Sequence, residues 1–290
     1  MRKYDNNRFI SAAAAMMATM TALLPGASEA RAQFFTDNFS SPSTSTAIVG
    51  NSIRGLDHNW AVSDVDNTAS AKVGGGQLSF TGTTSTFTRL VMNTGLSPNY
   101  NFFNAPVTYT MTGLGFAGTP DNRLAGWAEI HVGPSTTTIE RQSSLSGSGS
   151  TMFVVRLRAD GQLRGGAMEN NAQRHIGALS RDNMVFNHTI SSLPASGLTL
   201  SLTLSGISNG SGDEVAAYTV TVSDSSGKTL YTSSGTAPNL LKSGWDTPTG
   251  GAPGQGVVSL LLQESLQSGT PGTFSLTSFT IGAGHPPSAG

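Results

Sequence analysis

In Leu124-Ala-Gly-Trp-Ala-Glu-Ile-His-Val132 the side chains alternate in polarity. Trp127, Glu129 and His131 fall on one face of the expected strand, and Ala128, Ile130 and Val132 on the other. Met152-Phe-Val-Val-Arg-Leu-Arg158 has the same pattern, with Phe153, Val155 and Leu157 inward and Arg156 and Arg158 outward. Ala159-Asp-Gly-Gln162 then turns the chain into a returning strand through Leu163. The two polar faces could be neighbours. An indole stacks on a pyranose ring, and carboxylates and guanidinium groups bond its hydroxyls, so Trp127, Glu129 and Arg156 are candidate substrate-binding residues, with Trp245 able to close over them. The competing reading makes each tryptophan a filler between sheets, and Trp60 is assigned to the core.

These residues must be positioned by strands. Candidate strands are Phe34–Phe39, Trp60–Val65, Gln77–Thr81, Phe87–Met92, Val107–Leu114, Leu124–Val132, Met152–Arg158, Gln162–Ala167, Met184–Ile190, Leu198–Ser205, Val215–Ser223, Lys228–Thr232, Val257–Gln263 and Thr273–Ile281, separated by Gly, Ser, Asn and Pro. Many short β-branched or aromatic runs with turn signals between them predict an all-β sandwich or barrel. The clearest hairpin joins Ala216–Ser223 to Lys228–Tyr231 around Asp224–Gly227. Ser40–Thr46, Ser143–Ser150 and Pro238–Gly256 read as loops. The last contains Trp245 and is long enough to be a lid or a surface excursion with its indole tucked against the core.

Net charge is -1 over 290 residues and 11% of residues are charged, while Ser and Thr together make up about a quarter of the chain. No basic block could neutralise a row of phosphates, so nucleic acid is not an expected partner. Low charge and abundant hydroxyls suit hydrogen bonding to neutral polysaccharide and equally suit an inert structural domain. The N-terminus reads as an export signal: Arg2, Lys3 and Arg8, an apolar Ile10–Leu24, then Ala30-Arg31-Ala32. The expected organisation is a signal peptide over 1–32, one β-sandwich domain over 33–283 and a disordered tail over 284–290. No membrane span is expected in the mature chain, which is placed outside the cell or at its surface. There is no cysteine, so stability must come from packing, and thiolate metal sites are excluded. Five scattered histidines without ligand spacing argue against catalytic zinc. Asp64, Asp66 and Asn67 are the candidate metal ligands, for a structural Ca2+. Asp37-Asn38 offers oxygen ligands of the same kind, and at both places an Asx-rich turn capping a strand has the same appearance. No Gly-x-Ser-x-Gly elbow is present.

Phe35-Thr-Asp-Asn-Phe-Ser40, Trp60-Ala-Val, Gly-Gly-Gln-Leu-Ser-Phe80, Val155-Arg-Leu-Arg-Ala-Asp-Gly-Gln-Leu163 and Phe274-Ser-Leu-Thr-Ser-Phe-Thr-Ile281 together resemble the secreted concanavalin A-like, or laminin-G-like, β-sandwich superfamily. The resemblance implies a two-sheet antiparallel jelly roll whose concave sheet, in sugar-binding relatives, faces a polysaccharide. Glucanases of this superfamily carry Glu-x-Asp-x-x-Glu, which sets two carboxylates about 5 to 5.5 Å apart for a retaining glycoside hydrolase. That motif is absent here. Alginate-lyase-like relatives carry Gln-Ile-His with arginines that neutralise a uronate. Glu129-Ile130-His131 is similar to that tripeptide with Glu in place of Gln. The resemblance therefore makes His131, Glu129, Arg156 and Arg158 the catalytic candidates for a polysaccharide lyase, with His131 as base and the arginines as carboxylate clamps. The relatives' Arg-rich N-terminal motif and C-terminal Tyr motif are missing. The expectation is a secreted, non-catalytic protein that binds glycan or serves as surface matrix. The alternatives are a lyase and a structural protein that self-assembles through edge strands.

Overall fold

A computed structural model of the chain describes residues 33–40, 46–47, 61–65, 71–81, 88–96, 101–117, 127–134, 151–169, 184–246, 256–264 and 273–284. The chain divides between Arg31 and Ala32, and the fold lies in Ala32–Gly290. The expected signal peptide, Trp60, Asp66, Asn67 and the tail beyond Gly284 lie outside the described residues. Gly284 itself is tied down, its N–H donating to the Pro106 carbonyl at 2.8 Å.

The strands are β1 (Gln33–Asp37), β2 (Thr46–Ala47), β3 (Ala61–Val65), β4 (Ala71–Gly74), β5 (Gln77–Thr81), β6 (Thr88–Leu96), β7 (Val107–Ala117), β8 (Trp127–Pro134), β9 (Thr151–Arg158), β10 (Gln162–Glu169), β11 (Met184–Thr189), β12 (Leu198–Ser208), β13 (Glu214–Ser223), β14 (Thr229–Leu241), β15 (Gly256–Glu264), β16 (Thr273–Leu276) and β17 (Ser278–Ala283). One short helix, α1 (Lys242–Asp246), follows β14. They form two antiparallel sheets. The larger runs β14-β13-β12-β7-β16-β5-β4-β2, with β17 between β7 and β1. The smaller runs β11-β10-β9-β8-β15-β6-β3. Strand alternation sets what each sheet buries. In β12, Leu198, Leu200, Leu202 and Leu204 are fully buried while the intervening Thr199, Ser201 and Thr203 stay partly open. Facing them, Phe153, Val155 and Leu157 of β9 and Phe186 of β11 complete one core. Tyr218 joins the layers, with ring centroids 5.5 Å from Phe153 and 5.3 Å from Phe186. Each fully buried large apolar side chain contributes roughly 1.5–3 kcal/mol.

The serine and threonine content has a structural place on the outer face of the larger sheet. Register aligns Thr36, Thr280, Thr110, Ser201, Thr221 and Thr232 across β1, β17, β7, β12, β13 and β14. Neighbouring hydroxyls bond one another, Thr110 to Ser201 at 3.1 Å and Thr108 to Thr203 at 2.7 Å. Such cross-strand pairs stabilise the sheet without charge.

The candidate strands lack β2 and β4, and two further stretches depart from the sequence reading. β14 continues through Pro238 to Leu241 and α1 follows, so the first part of the expected Pro238–Gly256 loop is ordered on the sheet. Pro238 interrupts the alternation and a one-turn helix has no period to read, which hides both. The closing strand is divided at Thr277, where β7 carries Gly113 at φ 69°. Thr277 donates from both its N–H and its Oγ1 to the Thr112 carbonyl, each at 2.9 Å. The break lets β16 pair with β5 while β17 pairs with β1. A Cβ at Gly113 would lie 2.2 Å from Thr277 Oγ1 and 2.9 Å from its Cβ. Gly113→Ala is therefore expected to cost about 2 kcal/mol, from left-handed backbone strain and crowding together, read as a lower denaturation midpoint.

Candidate functional site

β8 lies between β15 and β9 in the smaller sheet, and the β9–β10 hairpin sets the order of side chains beside it. Asp160 and Gly161 make the turn, with the Gly161 N–H donating to the Arg158 carbonyl at 3.0 Å. A Cβ at Gly161 would fall 2.2 Å from the Ile190 carbonyl oxygen, so only glycine fits there. The resulting register places Glu129 opposite Arg156, Arg156 opposite Arg164, and Arg164 opposite Asn187. Four strands thus contribute one polar row.

Ala128, Ile130 and Val132 face the core, as their alternation requires, and Glu129, His131 and Arg156 lie on the opposite side of the sheet. Alternation correctly joins these three. It misses their burial: Glu129 and His131 are fully inaccessible and Arg156 is 5% exposed. Glu129 Oε1 accepts from Arg156 Nε, and its Oε2 is bonded to His131 Nε2. Burial alone would raise the Glu129 pKa. The Arg156 charge and the hydrogen bonds from His131 and Arg156 outweigh it and hold the carboxyl below its ordinary range. An ionised Glu129 can only accept, so His131 donates from Nε2. Its Nδ1 is buried and has no partner among the described residues. The expected open platform is therefore corrected at these positions to a closed ionic cluster, because charges withdrawn from water must satisfy one another.

The row opens toward β10 and β11. Arg158, 18% exposed at its side chain, donates to Gln162 Oε1 at 2.9 Å and pairs with Asp160 at 2.9 Å. Its Nε is buried without a partner among the described residues. Arg164 is half-buried, and its Nε donates to Asn187 Oδ1 at 3.3 Å, at the exposed edge. Arg164 and Asn187 are site residues that sequence reasoning passed over. The signal was the Asp160-Gly161 turn, which fixes Arg164 across from Arg156.

The remaining candidates separate. The Trp127 backbone pairs with Arg158 on one side and Gln263 on the other. Trp245 does not close over the row. It sits on α1 at 1% exposure, 4.7 Å from the Phe102 ring and 6.2 Å from Phe103. Its assignment as a substrate-binding lid is thus corrected to core, where the large indole fills the space under the end of the larger sheet. Asp64 lies in β3, its backbone opposite Val91. At Asp37-Asn38 the Asx-turn reading holds: Asp37 Oδ1 accepts from the Phe39 N–H at 2.7 Å and Asn38 Oδ1 from the Ser40 N–H at 3.1 Å. Among the described residues no group of three or more His, Asp or Glu could hold a metal ion. Among the described residues of this cluster the one carboxylate is Glu129, with both of its oxygens bonded, where a hydrolase working through two carboxylates needs a pair.

No protein-family profile matches the chain, and no curated protein matches it significantly. Solved structures do. An endo-1,3-beta-glucanase from Streptomyces sioyaensis is 14% identical, aligns over 91% of this chain and 100% of its own, and superposes with a TM-score of 0.51. The carbohydrate recognition domain of Emp47p is 12% identical over 90% and 100% of the two chains, TM-score 0.48. Lectin II from Ulex europaeus is 11% identical over 85% and 100%, TM-score 0.47. At such identities the likeness establishes architecture. The chain is an all-β, two-sheet antiparallel sandwich of the concanavalin A-like fold.

Proposed function

We propose that this protein is exported and binds glycan without turning it over, through the strip Arg158, Gln162, Arg164 and Asn187 next to the Trp127 position. The observation that carries the reading is the strip itself. Guanidinium and amide groups from three adjacent strands stand part-open in two neighbouring rows of one face, fixed by strand register rather than by loops. Such preplaced donors and acceptors are what sugar hydroxyls need. The fold is consistent with this use, and lectins and carbohydrate recognition domains stand among the similar structures. Export is supported by the basic start and apolar run of residues 1–32. Absence of turnover is supported by the engagement of Glu129 and His131 with each other, and of Arg156 with Glu129, which leaves the lyase's base and one of its clamps occupied.

The test is a glycan array on the mature chain, with polysaccharide pull-down and a parallel assay of alginate, pectin and β-glucan at the unsaturated-product absorbance. Retention of a glycan with no product, weakened in Trp127→Ala, is the expected result. Release of unsaturated product would establish the lyase instead. Concentration-dependent oligomers with no glycan retained would point to self-assembly through the long, uncharged edge strand β14.

A further inference from the structure

Arg156 and Arg164 stand directly opposite each other on β9 and β10. Like charges at such positions oppose strand pairing. Arg156 is answered on its other side by Glu129, and Arg158 by Asp160. Arg164 is not answered in this way. Among the described residues no carboxylate pairs with it, and its Nε meets only the neutral Asn187 amide oxygen. Among the described residues, three guanidinium groups are thus set against two carboxylates over two neighbouring rows and the adjoining turn, within a chain whose net charge is -1. Burial, followed by the charges of Arg158 and Arg156, disfavours the charged form of Arg164, and Asp160 offsets only part of this. Among the described residues the site is short of one negative charge, and it is reachable, since Asn187 and Thr189 on the neighbouring strand are exposed.

We infer that Arg164, with Arg158 beside it, receives the anionic group of an acidic glycan, a uronate carboxylate or a sulfate ester. This rests on the glycan-binding reading and adds the charge of the ligand. A planar guanidinium offers a carboxylate or sulfate two parallel N–H donors, which a neutral hydroxyl cannot match. Arg158 already donates to Gln162 and Asp160, so it supplies charge and a fixed wall, while Arg164 supplies the free fork. Gln162 lies two residues before Arg164 on β10 and across from Arg158, to which its Oε1 is bonded, so its amide Nε2 can donate to a ring hydroxyl.

The experiment titrates the mature chain, by calorimetry or amide NMR, with a glucuronate-containing oligosaccharide, a sulfated one and a neutral counterpart. It compares wild type with Arg164→Gln and Arg164→Lys. Binding of an acidic oligosaccharide should weaken at higher salt and fall at least tenfold in Arg164→Gln, with Arg164→Lys in between. Comparison of the uronate and sulfate arms identifies the group received. The unfolding midpoint of Arg164→Gln should stay level or rise, because the change relieves like-charge crowding, and this separates loss of recognition from loss of fold. Equal binding of neutral and acidic oligosaccharides, with Arg164→Gln silent, would overturn the inference and leave the glycan reading standing. If no oligosaccharide bound at all, both would fall.

Discussion

Replacing Glu129 with alanine is expected to destabilise the folded chain by about 3–5 kcal/mol, the range for removing one partner of a buried ion pair. Glu129 is fully buried, and both carboxylate oxygens are bonded, one to Arg156 and one to His131. Its loss leaves a nearly buried guanidinium without that anion and removes the His131 partner at Nε2. The converse is equally diagnostic. Glu129→Leu combined with Arg156→Met removes both charges, and the double variant is expected to be more stable than Glu129→Ala alone. The pH dependence has a defined sign. The folded-state pKa of Glu129 lies below the ordinary carboxylate value of 4.5, so its contribution is fully present above that value and is lost as pH falls below it. Glu129→Gln should therefore flatten the acid limb of the stability profile. Chemical denaturation across pH measures both effects, and a loss below about 1 kcal/mol for Glu129→Ala would mean that the pair behaves as an exposed one.

Trp245→Ala is expected to cost about 3–5 kcal/mol while leaving the glycan affinity of the folded fraction unchanged. The indole is fully enclosed and meets Phe102 nearly edge-on, at 66° between ring planes. Truncation leaves a cavity beside the Phe102 and Phe103 rings that the packed sheet cannot close. Trp245→Phe should be much milder, about 1 kcal/mol, since the indole Nε1 is buried without a partner among the described residues and its removal forfeits no hydrogen bond there. A lid residue would behave in the opposite way, losing affinity and keeping stability. Thermal unfolding and glycan titration on the same variants separate the two roles.

How much of this was legible beforehand follows from what alternation encodes. A period of two reports which side chains share a face, and it grouped Glu129 with His131 and Arg156 with Arg158 correctly. It does not report whether that face meets water. Burial depends on what crosses the sheet and on whether charges can neutralise one another, which is a matter of register between strands distant in sequence. Glu129 and Arg156 lie far apart along the chain, and only the pairing of β8 with β9 brings carboxylate and guanidinium together. Arg164 was within reach, because Asp160-Gly161 fixes the hairpin register, but an isolated arginine among Gly and Leu gives no pattern. Trp245 was obscured for another reason. Its Gly- and Pro-rich surroundings look like a loop, and burial against Phe102 arises from tertiary packing alone. The hairpin at Asp224 was fully legible, since its side chain caps the turn, Oδ1 accepting from the Ser226 and Lys228 N–H groups at 2.9 and 3.0 Å.

The proposed binding surface is tested most directly by amide chemical-shift mapping of the mature chain, titrated with whichever glycan the array retains. The account requires the largest perturbations in Thr151–Glu169 and Met184–Thr189, centred on Arg158, Gln162, Arg164 and Asn187. Perturbations confined to the hydroxyl-bearing face of β7, β12 and β13, with those residues unmoved, would contradict it.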